Sequence, residues 1–244
     1  MSACLPFQCP SSAGAEAENL VARRLILRAS MPAGVLAFWV CMLVAAAHFP
    51  SEYDWRYMTT SQLIYPERNP AGHLWASAAL IACAAGGLMW LSALPRTARL
   101  RGLPLLAAGY GCMILSSLLP ERWLSIRDGH EALAIAGFVG VCAGLVLLSV
   151  HHLASRSQRH APRAWLIALA GLAFSPIAMA GITQIYLTWW RPDLPWVGLT
   201  WKAMGVSPAL SFALWEWITC AVLSAYMTAI GLAVGEHLCR TSNC

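Results

Sequence analysis

Along the chain, long apolar runs alternate with short polar stretches. Six runs stand out, at about 31–49, 73–94, 103–119, 130–153, 164–190 and 209–237. Each has roughly the 20 residues that a helix needs to cross a ~30 Å hydrocarbon layer. The alternating ten-residue segments of a membrane β-barrel do not occur. The pattern predicts an all-α, polytopic membrane protein: a six-helix bundle over 31–237. A disordered N-terminal stretch (1–30) and a short tail (238–244) would flank it.

Charge placement orients the bundle. Arg23, Arg24 and Arg28 precede the first run, Arg96, Arg99 and Arg101 follow the second, and Arg156, Arg159 and Arg163 follow the fourth. Arg240 closes the sixth. The opposite ends carry Glu52, Asp54, Glu67, Glu121, Asp128, Glu131 and Asp193. Basic residues stay on the cytoplasmic side of a membrane, so both termini are expected there; the expected location is the inner (plasma) membrane if the source is bacterial. No secretory signal peptide is expected, because the first run is long and follows about 30 residues.

Composition agrees with the pattern. Hydrophobic residues make up 59% of the chain and charged residues 11%, against about 25% charged in a soluble domain. The net charge of +5 lies in short loops, so it sets topology and marks no nucleic-acid partner. Nine cysteines occur without a CxxC pair, and the outer loops hold none. Small apolar fillers and free thiols are the expectation.

The polar residues inside the runs carry the candidate chemistry. Glu216 lies about two turns inside the sixth run, between Trp215 and Trp217. A carboxylate at that depth is costly and marks a functional position. His48 closes the first run, His73 opens the second, and Ser116 and Ser117 end the third. His130 and Glu131 open the fourth, and Gln184 sits near the outer end of the fifth. Lipid exposure penalises such groups, so they point to an outward-facing polar pocket. Two long, aromatic-rich outer loops, 50–72 and 191–208, flank it. Their tryptophans and tyrosines either anchor at headgroup level or fold over the bundle as a lid.

Several chemistries fit this set. A hydrogen-bonded network would bind a lipid headgroup, with His48, His73, His130, Glu131, Gln184, Glu216, Ser116 and Ser117 as ligand-binding residues. A zinc site would use His48, His73 and His130, with Glu131 or Glu216 as catalytic base, in a lipid hydrolase or transferase. Haem would need paired histidines, and His130 stands about six turns from His151 and His152. A proton-coupled transporter would titrate Glu216. No cofactor is demanded by the sequence. Membrane lipids are the expected partners, and Gly140/Gly144 and Gly231/Gly235 offer small-residue faces for helix packing or a homo-oligomer. Pro176 is expected to kink the fifth helix.

Three stretches resemble the DRAM and Frag-type six-helix membrane proteins, and most of all a bacterial branch of unknown function. They are Thr59-Thr60-Ser61-Gln62-Leu63 with Asn69-Pro70, then Leu118-Leu119-Pro120-Glu121 with His130-Glu131-Ala132-Leu133 and Phe138, then Trp215-Glu216-Trp217. Gln62 stands where that group carries an acidic residue, and the glycine that follows it there is missing. The resemblance implies a six-helix architecture over about 31–237, with His130 and Glu216 at motif positions, and a role in organising or remodelling membrane lipid.

Overall fold

The computed structural model describes residues 12–94, 101–119, 129–155 and 200–241, with scattered helical positions between 175 and 189. Helix α1 spans Ser12–Ala47, α2 Thr60–Ile64, α3 His73–Ser92, α4 Leu103–Leu118 and α5 Gly129–Ser155. A short α6, Thr200–Ala203, and a 3-10 turn at Pro208–Leu210 lead into α7, Phe212–Thr241. No strand occurs among the described residues. Four helical stretches are long and apolar enough to cross a membrane: Glu18–Ala47, His73–Ser92, Ala132–Val150 and Phe212–Ala233. Leu103–Leu118 is apolar but shorter. The fifth run, with Pro176 and Gln184, falls largely outside the described residues.

One expected boundary moves. Residues 12–30 are helical and continuous with the first apolar run, where disorder was expected. The stretch from Ala13 to Ala29 is rich in Ala, Glu, Leu and Arg, which are strong helix formers. Tertiary contacts then hold it: Leu27 and Met31 are buried, and Arg23 Nε donates to Ala93 O at 2.6 Å, just past the end of α3.

Helix α1 packs chiefly on α3, α4 on α5, and α3 on α4, while α7 lies against α1 and touches α5. Helices in lipid gain little from burying apolar surface, since the tails are equally apolar, so close shape fit must hold them. The crossings show it. A Cβ on Gly86 of α3 would stand 2.5 Å from Ser30 O and 2.9 Å from Gly34 Cα of α1. One on Gly109 of α4 would stand 2.6 Å from Val141 N of α5. Gly140 and Gly144 meet Gly109 and Leu106 across that same crossing, and Gly231 meets Met31. These small-residue faces therefore pack within one chain. The outward faces carry Leu25, Leu36, Val40, Leu43, Ile135 and Val139, all exposed and apolar, as a lipid-facing surface requires.

Candidate functional site

The site lies at the end of the bundle where α1 stops and α3 and α7 start. The segment between α1 and α3 does not trail into solvent. It folds back as a cap, with α2 at its centre and Met58, Thr59, Gln62, Leu63 and Asn69 buried.

Glu216 holds that cap. Thr60 N–H donates to Glu216 Oε2 at 3.0 Å, and Thr60 Oγ1–H donates to Oε1 at 2.6 Å. Thr60 is the first residue of α2, and the preceding Thr59 is extended (φ −73°, ψ 159°) without capping the helix through its own side chain. A helix start has backbone N–H groups with no partner inside the helix. Here a carboxylate 156 residues away in sequence supplies one acceptor. A negative charge is also favoured at that end by the peptide dipoles.

The two flanking tryptophans divide the remaining work. About 100° separates successive residues of a helix, so the three side chains point three ways. Trp215 Nε1 donates to Ala209 O at 2.8 Å and closes the 3-10 turn onto α7. Trp217 Nε1 reaches the cap, at 3.0 Å from Met58 O and 3.2 Å from Tyr53 Oη. Its ring packs on Trp39 of α1, with centroids 5.9 Å apart, and on Tyr53 at 6.1 Å. Burial pushes the Tyr53 hydroxyl above the usual phenol range. It stays protonated and donates to Met58 O (2.8 Å) and Thr59 O (2.9 Å).

Asn69 closes the far side of the cap. It is fully buried; its Nδ2 donates to Ala45 O (3.0 Å) and Leu63 O (3.2 Å), and its Oδ1 accepts from Gly72 N–H (3.0 Å). One side chain so joins the end of α1, the end of α2 and the start of α3. Gly72 admits it, because a Cβ there would stand 2.4 Å from Nδ2.

The segment before α7 is fastened to the same cap. Tyr57 Oη–H donates to Val206 O at 2.8 Å, and Tyr57, Trp201 and Val206 form a small buried cluster with Leu210 against it. Asp54 pairs with Arg56 (2.8 Å) and Lys202 (2.9 Å). The Arg56 guanidinium, with help from Lys202, holds the Asp54 carboxyl well below the usual carboxylate range.

The other expected site residues are placed less favourably for a shared pocket. His48 is exposed, and its Nδ1–H donates to Val44 O (2.8 Å) in its own helix. His73 Nδ1 lies 3.2 Å from Asn69 O and 3.1 Å from Pro70 O. Ser116 and Ser117 both donate to Met113 O, the local bond that serine makes inside helices. The side chains of His130 and Glu131, and the whole of Gln184, lie outside the described residues. Among the described residues no three His, Cys, Asp or Glu side chains converge as a metal-ligand set. What Glu216 meets is therefore a loop hydroxyl and a backbone amide. Sequence reasoning missed Asn69 as the buried tie and Thr60 as the partner of Glu216. Both lie in the two loop fragments quoted for the family resemblance, which was the available signal.

Below the cap, an open groove of about 570 Å³ lies between α1 and α7. Val35, Trp39, Ser224, Ala225, Thr228 and Leu232 line it. Its few polar atoms are paired: Trp39 Nε1 donates to Ser224 Oγ (3.2 Å), and Thr228 Oγ1 donates to Ser224 O (2.9 Å). Trp39 borders the groove and also packs on Trp217, so the groove ends beneath the cap.

No family model, no curated protein and no solved structure matches the chain.

Proposed function

We propose that this chain is a six-span membrane protein with both termini on the cytoplasmic side, and that it binds a membrane lipid. The α1–α7 groove would take one acyl chain, and the capped end would stand at the outer leaflet beside the headgroup. The groove carries this reading: it is open, is lined by apolar and small side chains, and ends under a folded cap. Small residues on α7 make the space, since Ala221, Ala225 and Ala229 recur every four residues along one face. The likeness of the Trp215-Glu216-Trp217 and Thr59–Leu63 stretches to lipid-organising six-helix proteins supports the same direction. Glu216 then serves as the latch of the cap.

A photoactivatable phospholipid with the reactive group on its acyl chain tests this directly. Cross-links are expected on α1 and α7 at the groove. An Ala225→Phe substitution fills the groove and should abolish them, and mass spectrometry of the purified variant should show the co-purifying lipid depleted. Unchanged cross-linking in that variant would end the proposal. The orientation is checked separately, by reporters fused at the N-terminus and after Cys244, both of which should report a cytoplasmic location.

A further inference from the structure

The hydroxyl of Ser224 on α7 is used differently from most others in these helices. A serine or threonine inside a helix usually donates to a carbonyl three or four residues back in its own chain. Ser30, Ser92, Ser116, Ser117, Ser149 and Thr228 all do so here, at 2.7–3.0 Å. Ser224 does not. Its Oγ accepts from Trp39 Nε1 at 3.2 Å, and among the described residues no acceptor stands within reach of its own O–H.

Trp39 accounts for this. An indole N–H can only donate, and in hydrocarbon it finds no water to donate to. Ser224 supplies the acceptor and is left holding a proton. That proton belongs to the groove. Ser224 is half-buried and lines it, and its neighbours there include Val35, Ala221, Ala225 and Leu232, none of which has a side-chain acceptor. The depth is also fixed. Ser224 lies eight residues past Glu216 on α7, which is about 12 Å along the helix axis. With Glu216 at the cap and a hydrocarbon layer ~30 Å thick, Ser224 falls near the middle of that layer. A plain acyl chain offers no acceptor at such a depth, because the ester oxygens of a phospholipid stay beside its headgroup. A polar group left unpaired in an apolar medium costs free energy, and an acceptor on the groove's occupant would recover it.

We propose that the lipid in this groove carries an oxygen on its apolar tail, a hydroxyl or a ketone near mid-chain, and that Ser224 selects it by donating to that oxygen. The proposal rests on the lipid reading of the groove and narrows it to one class of lipid. Trp39 is the positioning residue, since its indole keeps the Ser224 hydroxyl engaged across the groove. Thr228 sits one turn deeper and also lines the groove; its proton is spent on Ser224 O, but its oxygen can still accept. A hydroxyl on the tail can therefore use both residues, and a ketone only Ser224.

Competition against the photoactivatable phospholipid tests this in nanodiscs holding the full chain. Three phosphatidylcholines compete: one with an oleoyl chain, one with a hydroxyl near mid-chain and one with a ketone at the same carbon. At least one oxygenated lipid should displace the probe about five-fold better than the oleoyl lipid, the factor that one neutral hydrogen bond supplies. The ratio is taken within each variant, so a general loss of binding or folding cancels. Ser224→Ala should bring it to about one, and Ser224→Thr, which keeps a hydroxyl, should restore part of it. A stronger preference for the hydroxyl lipid assigns an alcohol met by Ser224 and Thr228; equal preference assigns an acceptor met by Ser224 alone. Equal competition by all three lipids in the native chain overturns the proposal and leaves the lipid groove standing, whereas a probe that never cross-links at the groove overturns both. A preference that survives Ser224→Ala also overturns it.

Discussion

The capped end and the helix body are held by opposite means. At the capped end the contacts are polar and reach far along the chain: Glu216 to Thr60, Trp217 to Met58, Tyr57 to Val206, Asp54 to Lys202. In the body they are steric, with backbone touching backbone at Gly34–Gly86 and at Gly109 against Gly137 and Gly140. The solvent accounts for the contrast. At the membrane surface a loop has water as a competitor, and it stays folded only if its orphan amides and carbonyls find fixed partners. In hydrocarbon the helices already satisfy their own backbones, so association depends on how closely they approach. The cap should therefore loosen locally when one bond is cut, and the body should fail as a unit when one crossing is spread.

The largest effect expected follows from spreading a crossing. Gly109→Val puts a branched side chain where a single Cβ already stands 2.6 Å from Val141 N and 2.9 Å from Gly137 O. Over-packing at backbone atoms costs about 3 kcal/mol or more, because neither helix can yield without losing its neighbours. Unfolding in a detergent titration should show the loss across α3, α4 and α5 together. Unchanged stability would mean that α4 and α5 do not cross there.

Cutting the latch should behave differently. Glu216→Ala leaves the Thr60 amide without its acceptor and should cost about 2 kcal/mol. Hydrogen exchange should rise over 53–65 and stay unchanged in α4 and α5. Glu216→Gln keeps one acceptor oxygen and should recover part of the protection. A body-wide loss in Glu216→Ala would erase the distinction between the two regions.

How much of this was legible beforehand divides along the same line. The helices that the described residues cover were readable, because span length is a physical quantity the chain must meet: α3 and α4 begin at His73 and Leu103, as the apolar pattern predicts. The early start of α1 was not, since Arg23 and Arg24 interrupt the apolar pattern and their fit depends on where α3 ends. Glu216 was readable as costly at its depth, but its partner was not. Thr60 is an ordinary loop threonine until the fold brings it to α7. His48 and His73 looked like pocket residues because they end or open helices. Their ring nitrogens instead satisfy carbonyls of the adjacent turn, a local use that sequence position alone does not reveal.

A smaller test separates packing from bonding within the cap. Trp217→Phe keeps a ring against Trp39 and Tyr53 but removes the indole donor to Met58 O. One neutral hydrogen bond is worth about 1 kcal/mol net. Exchange over 53–59 should rise modestly, well short of the Glu216→Ala effect. An equal or greater effect would make the aromatic cluster, rather than the carboxylate, the main tie of the cap.

The smallest effect expected is set by acid at the link between the two loop segments. Asp54 has its carboxyl depressed by Arg56 and Lys202, so its folded-state value lies below the unfolded value of about 3.9. A depressed carboxyl contributes stability that is present above the unfolded value and is lost as pH falls through the folded one. Protection over 53–58 and 200–206 should be level from neutral pH down to about 4 and fall below it. The loss should be slight and should shrink in high salt, because Arg56 and Lys202 are half exposed and exposed pairs are strongly screened. Asp54→Asn should remove the acid step and leave the Tyr57–Val206 bond to hold the segments together. If the step persists in that variant, another carboxylate carries it.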